Sequence, residues 1–368
     1  MKILFLGDIY LDNSFDKDNK FILEGIKDNI DQADFVIANL EAPITSSNDK
    51  TEKVGPLLKM ANLPDELVNE VDAFSLANNH MMDFKSEGLS DTIKYLKAKN
   101  INYFGAGESI DAAYRGLTFE KGGQKVTLIG MAENEFSLTF GSAPGVAPVD
   151  PVYSLAYLTD IIKKNDNVVL FIHGGNEFSS LPSPKYRKLC QMYIDIGVKA
   201  VISTHTHTIG PIEEYKSAPI IYSLGNCLFN SQKPPEGWNI GMAVELEFNK
   251  SKVNYNKTFF EQNSDKGGVR ALKSQSLHKV ENDFKKLCSI IVNADSYHEA
   301  WERFVSERGE EYLFRVSSPV FFRGAYRICK ALGINRLLCR GLSGKLKQNY
   351  ISCESHREVV LESLSRLS

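Results

Sequence analysis

Eight short apolar runs, each closing on small or polar residues, constrain what this chain can fold into. They are KILFLGD (2–8), DFVIANLE (34–41), AFSLANNH (73–80), INYFGAG (101–107), VTLIGMAE (126–133), NVVLFIHGG (167–175), KAVISTHTH (199–207) and APIIYSLGN (218–226). Most are nearly continuous in Ile, Leu, Val and Phe, the pattern of strands covered on both faces. Between them, residues 15–31 and 86–99 carry apolar side chains at three- and four-residue spacing, which predicts helices. The segment SPKYRKLCQMYIDIG (183–197) adds a Ser-Pro start and a Gly stop. Strand–helix alternation of this kind implies a layered α/β domain. Two hairpins predict mixed rather than purely parallel sheets: one turns at Gly122-Gly123, the other at Asn249-Lys250-Ser251.

The character changes near residue 265. Residues 1–264 read as the α/β domain and 265–368 as a helical C-terminal region, with helical patterning over 270–315 and 319–366. Within that region, residues 320–347 carry seven Lys or Arg and no acid. Such a segment is either a solvated basic face or a surface that docks on an anionic membrane or an acidic partner. The formal charge of −3 over 368 residues gives no reason to expect non-specific nucleic-acid binding. Six cysteines lie scattered without CxxC spacing, which suggests neither a zinc knuckle nor a disulfide framework and fits reduced thiols in a cytoplasmic setting. The opening MKILFLGD is too short in apolar residues for a signal peptide or a span, so any membrane contact is expected to be peripheral, at the inner face.

The strand ends carry the functional signal. The first run ends in Asp8, the second in Asn39 and Glu41, and the third in Asn78, Asn79 and His80; later runs end in His173, in His205 and His207, and in Asn226. Ligand sites in open α/β sheets form outside the carboxyl ends of strands, so these tips should converge. Each residue alone has an ordinary reading, as a turn residue, a helix cap or a solvated loop side chain. The joint pattern does not, because His205 and His207 at i and i+2 put two imidazoles on one side of an extended chain. Imidazole, carboxylate and amide oxygen without thiolate suit Mn, Fe, Zn or Co. A carboxylate bridging two ions about 3.5–4 Å apart lets them grip both the attacking and the leaving oxygen of a phosphoryl group.

The motifs GD (7–8), NLE (39–41), ANNHMMD (77–83), YFGAG (103–107), HGGNEF (173–178), THTH (204–207) and IYSLGN (221–226) come in an order that resembles the calcineurin-like metallophosphoesterase superfamily. More closely, the chain looks like the CapA/PgsA-type poly-γ-glutamate (capsule) biosynthesis proteins of bacteria, over roughly residues 1–245. The resemblance implies a four-layer α-β-β-α sandwich of two mixed sheets, here with a helical C-terminal extension. It also implies one or two divalent ions (Mn, Fe or Zn). Asp8 and His207 would serve the first ion, Asn79, His173 and His205 the second, and Glu41 would bridge. His80 would protonate the leaving oxygen, oriented by Asp83. Asn39, Asn78, Glu177 and Asn226 would support the ligands or meet substrate, and Lys53 or Lys59 in TEKVGPLLKM (51–60) could reach a phosphate or carboxylate. Two positions depart from the wider superfamily: Tyr10 stands where its Asp-x-His pattern places a histidine, and Glu41 where Asp is usual.

The function implied is a metal-dependent hydrolase or transferase of cell-surface polymer assembly, working by metal-hydroxide attack on a phosphoester or amide-like bond of a phosphorylated or polymer-linked substrate. The alternative is a non-catalytic, metal-stabilised scaffold subunit of a membrane-associated polymer synthase, touching the membrane or the synthase through residues 320–347. A nucleotide-binding reading is weak, since Gly105 and Gly107 lack the third glycine and the helix-opening context.

Overall fold

Strand β1 (Lys2–Tyr10) shows why the runs are apolar throughout. Ile3 and Phe5 enter one core while Leu4 and Leu6 enter another on the opposite face, as the two-residue period of a strand requires. The computed structural model describes residues 1–12, 23–53, 55–229, 234–249, 252–262, 268–317 and 342–366. The further strands are β2 (Phe35–Leu40), β3 (Ala73–Ser75), β4 (Asn102–Phe104), β5 (Ala106–Gly107), β6 (Leu117–Lys121), β7 (Gln124–Ala132), β8 (Gly145–Val146) and β9 (Val168–His173). They continue with β10 (Ala200–Thr204), β11 (Ile212–Tyr215), β12 (Ala218–Ile221), β13 (Asn226–Phe229), β14 (Ile240–Phe248), β15 (Val253–Gln262) and β16 (Val269–Ala271).

One sheet runs β16-β15-β14-β1-β2-β3-β4, with β13 also pairing β1; the other runs β11-β12-β10-β9-β7-β6. Both are mixed. β1 is parallel to β2 and β13 but antiparallel to β14, and β9 is parallel to β7 and β10 while β6 is antiparallel to β7. The sheets pack face to face through Phe5 of β1, Leu128 of β7, Phe171 of β9 and Ile202 of β10. The Phe5 and Phe171 rings lie 5.8 Å apart. Outside the first sheet, Leu4, Leu6 and Phe74 meet Ile30, Leu67, Leu89 and Leu96 from helices. Outside the second, Ile129, Leu170 and Ile172 meet Leu158, Cys190 and Tyr193. The result is a four-layer α-β-β-α sandwich: a layered α/β domain with mixed sheets, as the runs and hairpins predict, in the four layers that the resemblance implies.

Local signals explain the helices. Pro184–Asp195 is capped by Ser183, whose hydroxyl accepts from the Tyr186 N–H at 3.2 Å, and it ends before Gly197 at φ +112°. The 86–99 stretch forms the helix Lys85–Ala98. The expected helix over 15–31 is shorter in its described part, a 3-10 turn at Glu24–Ile26 followed by Lys27–Gln32, because residues 13–22 lie outside the described residues. The run 218–226 is not one strand. It breaks after Ile221, Gly225 turns at φ +67°, and Asn226 opens β13 in the other sheet. This crossover brings the rims of the two sheets together.

The first sheet continues past residue 264, since β16 pairs with β15. Beyond it come the helices Ser274–Val292, Ala294–Ser317, Leu342–Ser352 and Glu354–Ser365. They pack on the sandwich as well as on each other. Phe284 meets Phe259 at 5.1 Å between ring centres, and the Tyr297 hydroxyl donates to the Pro182 carbonyl at 2.9 Å. Trp301, Val305 and Val359 form a small core of their own. Most of the basic segment 320–347 lies outside the described residues. No helix among the described residues is long and apolar enough to cross a membrane.

Gly7 lies against the turn that leads into β13. A Cβ on Gly7 would fall 1.9 Å from the Gly225 carbonyl oxygen, and the Asp8 N–H donates to that same oxygen at 3.2 Å. Gly7→Ala is therefore expected to cost about 1–3 kcal/mol of unfolding free energy, as core overpacking does. Gly141→Ala, where an added Cβ meets nothing within 4 Å, should stay within about 0.5 kcal/mol of the parent. Urea midpoints of the two variants check this, and equal midpoints would refute the close-approach argument.

Candidate metal centre

Asp8 sits at an irregularity in β1, where the pairing with β13 shifts between Asp8 and Ile9. The shift turns the carboxylate toward the rim, fully buried. Asn39 Nδ2 donates to Asp8 Oδ1 at 2.7 Å, and the His205 N–H donates to Asp8 Oδ2 at 3.1 Å. Glu41 follows β2 and is also fully buried, its N–H bonded to the Ile9 carbonyl at 3.0 Å. His205 and His207 follow β10 at φ +96° and +58°. Positive φ is costly for residues with a side chain and is held in place by surroundings, a mark of functional loops.

The predicted ligands converge as two adjoining groups. In one, Asp8, Glu41 and His207 each offer a ligand atom, all within 4.8 Å of one another. His207 Nδ1 is 3.7 Å from Asp8 Oδ2 and its Nε2 3.7 Å from Glu41 Oε1. In the other, His173 Nε2 lies 3.1 Å from Asn79 Oδ1 and 3.0 Å from His205 Nδ1. His173 also faces the first group, at 3.7 Å from Asp8 Oδ1 and 3.8 Å from Glu41 Oε1. Glu41 thus stands between the two sets.

The electrostatics suit a cation. Burial, reinforced by the Asp8 charge, holds the Glu41 carboxyl well above the usual carboxylate range. Burial likewise pushes His205 and His207 down to about 4 and His173 well below its ordinary value, with the neighbouring imidazoles adding to the shift of His173. Three imidazoles are therefore neutral at pH 7, with lone pairs to offer. Glu41 Oε1 is buried and has no hydrogen-bond partner among the described residues. An unpaired buried carboxylate oxygen is expensive unless paired or coordinating. The donor set fits one or two divalent ions of the Mn, Fe or Zn type.

The remaining predicted residues support this cluster, with one exception. Asn78 Nδ2 donates to the Leu40 carbonyl at 2.7 Å and to Asn39 Oδ1 at 3.3 Å. Asn226 Oδ1 meets His207 Nδ1 at 2.9 Å, while its Nδ2 donates to the Trp238 carbonyl. His80 Nδ1 lies 2.8 Å from Asp83 Oδ2, which also accepts the Leu58 N–H at 2.8 Å. Asp83 in turn pairs with the buried Lys53 ammonium, which sits 3.1 Å from His80 Nδ1. Burial, then the Lys53 charge, lowers the His80 pKa, opposed by the bond to Asp83. Glu177 lines the cavity over the cluster. Lys59 does not join the site. Its ammonium donates to the Ser47 carbonyl at 2.8 Å and to Asn48, and lies over the Phe84 ring. Lys53, six residues earlier, is the one that reaches the cavity.

A cavity of about 500 Å³ opens over these groups. Its walls include Tyr10, Phe136, Phe178, Phe229 and Trp238, and its roof comes from the C-terminal helices through Phe304, Arg308, Tyr350 and His356. His207 packs 4.6 Å from Trp238 and 5.0 Å from Phe229, ring centre to ring centre. Tyr10, where the resemblance leads one to expect a histidine, has its ring centre 5.0 Å from that of Phe229. Sequence reasoning passed over Glu135, which accepts a bond from Asn79 Nδ2. It stands two residues beyond Glu133, where the fifth run ends, and the two-residue period was the available signal. Nothing in the sequence placed Tyr350, Cys353 or His356 beside residues more than a hundred positions earlier.

The family model for the bacterial capsule synthesis protein PGA_cap matches residues 2–231. Among curated proteins, the chain is 27% identical over 245 residues to the PGA biosynthesis protein CapA of Bacillus subtilis, covering 64% of this chain and 63% of that one. It is 27% identical over 229 residues to the capsule biosynthesis protein CapA of Bacillus anthracis, covering 59% and 54%. A probable polyglutamine synthesis accessory protein of Mycobacterium tuberculosis is 26% identical over 208 residues, covering 52% and 55%. The chain thus spans between 54% and 63% of the length of these relatives. A solved putative 5′-nucleotidase from Staphylococcus aureus superposes with a TM-score of 0.45 at 15% identity, over 76% of this chain and 57% of that one, a likeness too slight to bear on chemistry. The family match runs through every residue of the rim cluster from Asp8 to Asn226, and the chain belongs to the bacterial capsule synthesis protein family.

Proposed function

We propose that this chain is a divalent-metal-dependent hydrolase or transferase of cell-surface polymer assembly, acting on a phosphoester or amide-like bond of a phosphorylated or polymer-linked substrate. The polymer assignment draws on the names of the relatives, which speak of poly-γ-glutamate and capsule biosynthesis. The chemistry rests on one observation above the others: a fully buried Glu41 oxygen without a hydrogen bond, 3.7 Å from His207 Nε2 and 3.8 Å from His173 Nε2. Asp8, Glu41 and His207 would hold one ion and Asn79, His173 and His205 a second. A bound ion of this kind supplies Lewis-acid polarisation of the bond under attack.

The chain's own residues do the rest. Asn39 holds Asp8 in place, and Asn226 holds His207. A His80 Nδ1–H directed at Asp83 leaves Nε2 to exchange a proton with the leaving oxygen. An anionic group arriving beside His80 favours its protonated form, which offsets the depression caused by burial and Lys53. The aromatic walls exclude water from the reacting groups.

A second reading, a metal-stabilised scaffold of a membrane-associated synthase, is favoured by Tyr10, which lines the cavity where the superfamily has a ligand histidine. Residues 320–347 would provide its contact with an anionic membrane. Flotation with anionic liposomes supports that reading, and turnover of substrate by purified protein counts against it.

Elemental analysis of protein purified without chelator is expected to find Mn, Fe or Zn, with Asp8→Asn and His207→Ala each losing at least half of it. With Mn²⁺ and aryl phosphates, the parent should turn over and a His205→Ala/His207→Ala double variant should not. Metal-independent turnover, or none at all in the parent, removes the phosphoester reading. His80→Ala should lower kcat by about 10²–10⁴-fold with the metal content unchanged. A variant that keeps the parent's kcat leaves His80 without the proton-transfer role.

A further inference from the structure

We propose that Glu135, Cys353 and His356 form a second metal site, of the zinc type, which pins the C-terminal helices over the mouth of the first. One ligand atom from each of the three lies within 4.8 Å of the others. Thiolate, imidazole and carboxylate together suit zinc better than the sulfur-free rim cluster does. A tetrahedral ion with bonds of about 2.0–2.3 Å spaces its ligand atoms about 3.3–3.8 Å apart. The three need close by only about an ångström.

The turn that carries two of them is docked independently of any ion. Cys353 is the single residue between the helices Leu342–Ser352 and Glu354–Ser365, and it is fully buried. Just after it the chain is clamped to the sandwich. The Asn134 N–H donates to Glu354 Oε2 at 2.9 Å, the Ser355 hydroxyl donates to Glu133, and Asn176 Nδ2 donates to the Ser355 carbonyl at 3.1 Å. One turn further, Glu358 accepts the Lys185 N–H at 3.1 Å and the Ser183 hydroxyl. The His356 ring stacks on Tyr350 at 4.9 Å, which restricts its rotation. Cys353 Sγ faces a second carboxylate as well, lying 3.7 Å from Glu133 Oε2. A thiol set between a buried carboxylate, Glu133, and a half-buried one, Glu135, is a poor place for an uncompensated thiolate and a favourable one for a cation.

The arrangement also connects the two sites. The Asn79 side chain meets His173 through Oδ1 and Glu135 through Nδ2. Occupation of the Glu135 site therefore bears on how Asn79 is presented to the first centre, and it orders the roof that bounds the substrate cavity. Cys353 and His356 lie beyond residue 231, where the family match ends.

Cobalt(II) tests this, because a sulfur ligand gives it a near-ultraviolet charge-transfer band that the rim cluster, with no sulfur donor among its predicted ligands, does not. The full-length chain, with its thiols reduced, is expected to show the band. Asp8→Asn should retain it, and Cys353→Ser should lose it while keeping the parent's circular dichroism. His356→Gln should weaken zinc affinity by more than the about 10–100-fold typical of losing an outer partner, and should restore tryptic access to residues 342–366 that zinc protects in the parent. No band at saturating cobalt, or a band that survives Cys353→Ser, overturns the proposal. Because Asp8→Asn disables the first centre alone, failure there and failure here are read separately.

Discussion

Two carboxylates, Asp8 and Glu41, are held fully out of water within reach of imidazoles that burial keeps neutral. Desolvating a carboxylate costs several kcal/mol even after the surroundings relax, and neutral imidazoles return little of it. The described polar groups answer part of the demand. Asn39 reaches Asp8, Glu41 and His173 from one side-chain amide, and the backbone of His205 donates to Asp8. One oxygen of Glu41 is left over. The rim is built around that unpaired oxygen, whose charged form burial disfavours, and a cation would stabilise it in a way that no described neighbouring side chain does.

The sheets are arranged to gather these groups at one place. Parallel pairing of β1 with β2 and of β9 with β10 sends four strand ends to the same edge. The crossover at Gly225 then carries the chain from the second sheet to the first beside Asp8. Glycine is required at 7 because a Cβ there would run into the Gly225 carbonyl, and at 225 because φ is +67° and a Cβ would lie 2.9 Å from the Ile240 carbonyl oxygen. The positive φ angles of His205 and His207 belong to the same compression. Strain is tolerated there because packing of the two sheets fixes both strands on either side.

The layered α/β architecture was legible in the sequence because its strands are buried on both faces and so read as unbroken apolar runs. The convergence of the rim residues was legible because each follows such a run, while the roles assigned to them came from the resemblance. Limits appeared where position depends on distant packing. The run 218–226 looks like one strand, and only the turn at Gly225 shows that it belongs to two sheets. Lys53 and Lys59 are equivalent on paper. The buried Asp83 selects Lys53, while Lys59 settles on the Ser47 carbonyl. Glu135 and His356 come together through helix docking across more than two hundred residues, which no local pattern encodes.

The cavity shows where members of one family can diverge. Its floor, from Asp8 to Asn226, lies within the residues that the family model covers. Part of its wall and all of its roof do not: Trp238, Phe304, Arg308, Tyr350 and His356 come from later in the chain. A metal centre that polarises a bond is indifferent to what lies beyond that bond. In the proposed function, selection among substrates would therefore fall to the groups that bound the cavity above the rim cluster. In this chain Tyr350 and His356 stand on the helix pair flanking Cys353, held by the hydrogen bonds of Glu354, Ser355 and Glu358 to the sandwich. If the proposed function holds, the chemistry would be set by the shared floor and the choice of substrate by the side chains that this roof presents.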